Sequence, residues 1–331
     1  MLRAARMSGM LIAGTDDGVY RLDGIDEEGG ATVRETLDAT GVMRLRTFEA
    51  FDGVFAATAE GLFHSPDGES WTDLSVPEES VYSVAAGPDG RLYAGTRPAH
   101  VYVAESVDDA TLRDGPAWRE LDGFQDLPSR SEWQLPRHDD LAQVRDLYVP
   151  ADEPGRVIAG VEVGGVHLSD DGGETWSERR EGVDDDIHEL HVVDRREFLA
   201  ATGFGLFHTT DAGRSWTRLD DGYDQRYFRA AAAVDGDLYA GANIAHTATW
   251  SEDDADPALF VCRDGESLEP VDHARPDETV TGLTAVDGRL AAATYHGTVL
   301  LRGADGWRVV GELPPVEGPS GSYTPLCWVD S

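Results

Sequence analysis

An all-β, seven-bladed propeller is the fold this sequence predicts, and three observations predict it. First, an apolar strand with two small residues near its end, a tight turn and an alternating strand recur seven times. The copies are "LIAGTDDGVYRL", "VFAATAEGLFHS", "LYAGTRPAHVYVAES", "VIAGVEVGGVHLSD", "FLAATGFGLFHTT", "LYAGANIAHTATWSE" and "LAAATYHGTVLLRG". Second, another apolar segment precedes most copies and a Trp-bearing segment follows most, giving four strands per unit. Third, the first copy lacks its preceding strand while the C-terminal "SYTPLCWVD" belongs to no unit, so one end can complete the other.

The small residues that align the copies are Gly14, Ala57, Gly95, Gly160, Ala201, Gly241 and Ala293. Most steps between them are about forty residues, the period of a four-stranded propeller blade. The segments before them ("VYSVAAG", "VRDLYVP", "IHELHVV", "FRAAAAV", "VTGLTAV") read as first, innermost strands. Those after them ("SWTDL", "AWREL", "TWSER", "SWTRL", "GWRVV") read as fourth, outer strands. Tyr323 to Val329 is expected to form the innermost strand of the first blade, which removes two open sheet edges. One propeller domain is therefore expected over 1–331, with a long insertion at about 122–141.

The third-to-fourth turns carry a motif of their own. Ser169, Asp171, Gly173 and Trp176 have the spacing Ser-x-Asp-x-Gly-x-x-Trp, and Thr209, Asp211, Gly213 and Trp216 repeat it with Thr for Ser. Asp67, Gly68 and Trp71 form a copy one residue short, and Asp264 begins a relic without Trp. The Asp carboxylate is suited to accept N–H groups of the turn, Gly supplies positive φ, and Trp is expected to pack between blades. A calcium loop is the competing reading of "DDGGE", and the repeated Trp favours the structural turn.

This spacing resembles the Asp-box (BNR) repeat of sialidase-like and sortilin-type propellers, and the chain looks most like prokaryotic, haloarchaeal-type BNR-repeat proteins. The resemblance covers nearly the whole chain and implies the propeller fold. For function it spans glycosidases, receptors and assembly factors. The sialidase set of an N-terminal Arg motif, two further Arg and a Tyr–Glu nucleophile pair is not found in full, so typical sialidase activity is not expected.

Charge and composition exclude several classes. The 331 residues hold 63 acidic against 27 basic side chains, a net charge of -36, and every basic residue is Arg. Such a surface repels nucleic acid and anionic lipid, so neither is expected as a partner. The acids are scattered rather than clustered, which suits adaptation to high salt, and the fold is expected to lose stability as salt is withdrawn. Cys262 and Cys327 make no disulfide framework. The N-terminus lacks a cleavage pattern and no segment has the length of a membrane span, so a cytoplasmic location is expected.

Propeller topology puts the second-to-third turns and the connections entering each innermost strand on one face, with the Asp turns opposite. The first face gathers Arg97 and His100, Glu162, Asn243 and His246, then Tyr295 and His296. The entering connections add Trp133, Arg137, His138, Asp139 and Arg145, then His188, Tyr223 and Arg226. The insertion around Trp133 is the longest loop, and long charged loops on rigid scaffolds carry binding sites.

A small molecule, carbohydrate included, or a protein is expected at this channel mouth, bound without catalysis. The alternative is a glycoside hydrolase-like activity. Its carboxyl pair would be Glu162 with Asp139, or with Asp140 or Asp186, since a glycosidase needs two carboxyls across a sugar-sized gap. The mouth histidines come from different blades with no short-range ligand spacing, so neither a metal nor a cofactor is expected. His64, His167 and His208 occupy matching repeat positions and read as packing residues.

Overall fold

The computed structural model describes residues 9–27, 29–250, 255–315 and 323–330. The N-terminal residues 1–8, on which the reading of a missing leader partly rests, lie outside them, as do residues 251–252 at the end of the sixth repeat copy. The described residues form seven four-stranded antiparallel sheets. Blade 1 holds Gly9–Gly14, Val19–Asp23 and Thr32–Leu37, and blade 2 runs from Arg44–Phe48 to Thr72–Asp73. Blade 3 spans Val81–Ala86 to Trp118–Glu120, blade 4 Gln143–Tyr148 to Ser177–Glu178, and blade 5 Ile187–Val192 to Thr217–Arg218. Blades 6 and 7 begin with Tyr227–Val234 and Val280–Val286.

The ring closes as the leftover C-terminal strand requires. Leu326–Asp330 pairs antiparallel with Gly9–Gly14, in a register that sets Leu11 against Trp328 and Ala13 against Leu326. It is the innermost strand of blade 1 and also packs against the innermost strands of blades 7 and 2.

The small residues of the repeat have a steric cause. A methyl on Gly160 would come within 2.6 Å of Ile187 Cγ2, and one on Gly95 within 2.6 Å of Val144 Cγ1. Ile187 and Val144 sit on the innermost strand of the following blade, so each glycine marks the closest approach between neighbouring sheets. Apolar side chains fill the space between blades, as Leu168, Ile187, Leu190 and Phe198 do between blades 4 and 5.

Five innermost strands share an irregularity that sequence patterning does not reveal. Tyr82, Arg145, His188, Arg229 and Thr281 each stand unpaired where the ladder to the second strand shifts register. Such bulges bend a strand and re-aim its side chain. The same offset recurs in blades 3 to 7, placing these five side chains at one level of the channel.

The Asp-bearing turns are hydrogen-bonded units. Asp171 Oδ1 accepts the N–H of Thr175 at 2.9 Å, Ser169 Oγ accepts that of Gly173 at 2.8 Å, and Trp176 Nε1 donates to Gly173 O. Asp211 and Thr209 repeat this with Ser215 and Gly213. Asp67 and the relic Asp264 each accept two turn N–H groups. Trp71 and Trp216 reach back to the preceding blade, donating to Thr36 Oγ1 and Arg179 O. Replacing Asp171 by Ala should therefore cost about 1–2 kcal/mol, as loss of a comparable cap does, read as a lower melting temperature with an unchanged β-sheet spectrum.

Among the described residues no helix is long and apolar enough to cross a membrane.

Candidate functional site: the channel mouth

A cavity of about 780 Å³ opens on the face where the insertion lies. Its walls come from five blades and from Tyr323, just before the closing strand. Three elements set its chemistry.

The insertion supplies the rim. It contains a short helix, Asp122–Gln125, and two single 3₁₀ turns, Arg130–Glu132 and Pro136–His138. Arg137 Nη2 hydrogen-bonds Glu162 Oε1 and lies 3.7 Å from Asp186 Oδ1. His138 Nδ1 accepts from Arg97 Nη1 at 3.2 Å, and burial together with the Arg97 charge holds its imidazole below the usual range. The rim is completed by Phe204 and Ile244, 58% and 41% exposed, two of the few large apolar side chains left in water among the described residues.

The carboxyls on the wall are engaged. Glu162 is buried and takes hydrogen bonds from Arg137 and Gln143, with Arg145 Nε 3.8 Å away. Burial opposes ionisation of Asp186, yet His188, whose Nε2 lies 3.6 Å away, and the charges of Arg137 and Arg145 hold it below the ordinary carboxyl range. His188 Nδ1 donates to Phe228 O at 2.7 Å, which fixes the ring with Nε2 toward Asp186.

The floor is cationic and aromatic. Arg145, Arg229, Tyr323 and Met43 line both this cavity and the narrower one of about 280 Å³ beneath it, so they form the constriction between the two. Arg229 lies over the Tyr323 ring at 3.5 Å, and Arg145 over Tyr323 and Tyr82 at 5.1 and 5.5 Å. Burial pushes the Tyr323 hydroxyl up to about 12, so it stays neutral and can donate. Below the constriction, Arg46 Nη2 meets Asp146 Oδ1 at 2.8 Å and Arg44 Nη1 meets Glu189 Oε1 at 2.9 Å.

Asp16, in the turn between the first two strands of blade 1, belongs to the same electrostatic neighbourhood. Burial and Asp17 raise its carboxyl to about 6 against the opposing charge of Arg145. A carboxyl raised above its ordinary value stabilises the fold below pH 4, and that contribution is lost as pH rises through about 6. Asp16→Asn should therefore raise stability at pH 7–8 by roughly 1 kcal/mol after solvent screening, with no gain near pH 4. Melting curves across that range test it; a pH-independent difference would contradict the assignment.

The structure thus brings Arg137, His138, Arg145, Glu162, Asp186 and His246 to the cavity wall, with Arg97 behind His138. Several expected site residues stand elsewhere. Trp133 is 2% exposed, packed on Phe124 and His167 with its Nε1 bonded to Ser129 Oγ, so it anchors the insertion and offers no ligand contact. Tyr223 donates to Leu268 O, and Arg226 pairs with the buried Asp220, so both are tied between blades 5 and 6. His100 is held by Glu120, and His296 lies against Tyr295. Asp139 and Asp140 are exposed with positive φ, shaping the loop end outside the cavity wall. His64, His167 and His208 are buried in inter-strand packing and bonded to Asp52 O, Gly164 O and Gly265 O. Among the described residues no three His, Cys, Asp or Glu side chains converge as a metal site.

Sequence reasoning missed Tyr82, Gln143, Phe204, Tyr227, Arg229 and Tyr323 as mouth residues. Two signals were present. "GFG" sets a large apolar residue in a turn where the second blade has Ala59-Glu60, and "FRA" interrupts an otherwise apolar inner strand with Arg.

No protein-family model matches the chain, and no curated protein matches it either. Similarity to solved structures is extensive at low identity. An ancestral GH74 enzyme superposes with TM-score 0.61 at 13% identity over 85% of this chain. The chain covers only 39% of that enzyme's length. YCF48 from Cyanidioschyzon merolae gives TM-score 0.57 at 12% identity, covering 86% of this chain and 94% of YCF48. A structure of YCF48 bound to D1 peptide gives 0.56 at 14% identity, covering 86% and 92%. At these identities the likeness is one of fold.

Proposed function

We propose that the protein is a non-catalytic binding propeller that receives a small molecule or a segment of a partner protein in the channel mouth. The observation that carries this reading is the state of the mouth's carboxyls. Glu162 is hydrogen-bonded by Arg137 and Gln143, and Asp186 is held ionised by His188, Arg137 and Arg145. A glycosidase acid needs a protonated carboxyl facing the sugar, and cations at both sites oppose that. A sizeable cavity with charged and aromatic walls and two exposed apolar rim residues suits a binder. YCF48, whose propeller is similar over nearly its full length, has been solved with a bound peptide, which agrees with a peptide-sized occupant.

The hydrolase reading has one observation in its favour: Asp16 carries a carboxyl raised to about 6 beside Arg145. GH74 enzymes share the fold, though the chain spans less than half their length. In that reading Asp16 would serve as proton donor, and hydrolysis of a chromogenic glycoside would fall as pH passes 6.

The Asp-bearing turns are, in this reading, Asp boxes serving as structural fasteners on the opposite face. The dispersed acidity belongs to a soluble protein of a high-salt cytoplasm.

The test is a melting-shift panel of neutral sugars, carboxylates and short peptides on wild type, on Phe204→Ala/Ile244→Ala and on Asp171→Ala. Stabilisation that the rim double variant weakens and Asp171→Ala spares is the expected result. Binding lost with Asp171→Ala and kept by the rim variant would reverse the two faces. Turnover of a glycoside by wild type would establish the hydrolase reading instead.

A further inference from the structure

The floor of the mouth contains a cation without a counter-charge. Arg229 is 5% exposed, and among the described residues no carboxylate lies within ion-pairing distance of its guanidinium. Its contact is the face of Tyr323, 3.5 Å from ring centroid to Cζ. The contrast with its neighbours is direct, because Arg44 and Arg46 are paired with Asp146 and Glu189, and Arg137 with Glu162. A buried charge costs several kcal/mol unless something pairs with it.

The surroundings limit what can fill the gap. Arg229 sits at the constriction, open to the mouth cavity above it, and Arg145 lies on the same level two bulge positions away in blade 4, beyond His188 of blade 5. Both guanidiniums are backed by the Tyr323 ring, which leaves their N–H edges as the polar groups they can offer. In and around the mouth, from rim to floor, Arg97, Arg137, Arg145 and Arg229 stand against Glu162, Asp186 and Asp16. Among these described residues, four positive charges against three negative leave one positive charge uncompensated. That balance fits a monoanion and disfavours a phosphate dianion, which would meet the buried Glu162 and the half-buried Asp186. The planar guanidinium edge matches a carboxylate, whose two oxygens accept parallel N–H bonds.

We infer that Arg229 and Arg145 form a carboxylate-binding clamp at the floor of the mouth, so the occupant enters carboxylate first. This inference rests on the mouth being the binding site and adds the chemical class of the group it recognises. The carboxylate has two sources, a free organic acid or the C-terminus of a partner chain. The overall charge of -36 repels both at long range, so the clamp selects an anion against the field of the molecule.

The experiment uses the full chain at constant ionic strength and matched acid and amide probes: benzoate against benzamide, and a short peptide with a free or amidated C-terminus. Binding is read by calorimetry on wild type, Arg229→Gln, Arg229→Lys and Phe204→Ala/Ile244→Ala. The expected result is that each acid binds wild type and its amide binds roughly 10- to 100-fold more weakly, the range for loss of hydrogen bonds to charged groups. Arg229→Gln should erase that preference, and Arg229→Lys should restore only part of it. Tighter binding of the peptide identifies a chain terminus as the source, and tighter binding of benzoate a free acid.

Equal binding of acid and amide to wild type overturns the clamp, and does so whether or not the Arg229 variants fold. If that binding still weakens in the rim double variant, the mouth remains the site and only the carboxylate inference falls. Binding of acids that ignores both Arg229 and the rim overturns both.

Discussion

Deletion of residues 322–331 is expected to lower the melting temperature by more than about 10 °C. The deletion removes the innermost strand of blade 1 and with it buried Leu326, Cys327 and Val329. Burial of a Leu or Val side chain stabilises by about 1.5–3 kcal/mol, so these side chains alone account for roughly 5 kcal/mol. The ladder to Gly9–Gly14 goes too, and the packing against blades 7 and 2 opens. The newly exposed edge of Gly9–Gly14 should make the truncated protein aggregate as well as melt early. It also loses Tyr323, so any ligand response at the mouth should vanish even below the melting point. Scanning calorimetry of both chains tests this, and a truncated protein melting within a degree or two of full length would refute the role given to the closing strand.

Asp146→Ala is expected to be the most damaging single substitution in the channel. Its carboxylate is 0% exposed, pairs with Arg46 at 2.8 Å and Arg44 at 3.4 Å, and accepts the N–H of Leu190 from the next blade at 2.9 Å. It thereby joins three innermost strands, those of blades 2, 4 and 5. Removing it leaves two buried guanidiniums with only Glu189 between them, a loss of about 3–5 kcal/mol. The corresponding fall in Tm is of the order of 5–10 °C. Asp146→Asn keeps the shape and an acceptor for Leu190 and should cost less. Equal melting of wild type and Asp146→Ala would mean that the network contributes no net stability.

Blade number, strand order and ring closure were legible because each has a local cause that repeats. Small residues such as Gly95 and Gly160 recur because neighbouring blades touch there, and the leftover "SYTPLCWVD" had one free edge to fill. The mouth was legible only in part. Arg137 and Glu162 stood out as charged residues on connections of one face, and the structure brings them into contact. Arg229 and Tyr82 did not, because a bulge turns them into the channel and periodicity of two assigns their side chains to the sheet faces. Trp133 was misleading for the opposite reason. Its place in a long polar loop suggested a ligand contact, while Phe124, 9 residues earlier in that same loop, provides a buried partner for it. Loop composition carries no record of which aromatic side chain folds back.

Amide hydrogen exchange of the full chain with and without saturating benzoate tests most directly whether the mouth is the binding site. Protection should concentrate in residues 135–145, in the turn at Gly203 and Phe204, in residues 243–247 and around Arg229. The Asp-bearing turns at 169–176 and 209–216 should exchange at unchanged rates. Protection confined to those turns, or spread evenly over all seven blades, would contradict the assignment of the channel mouth.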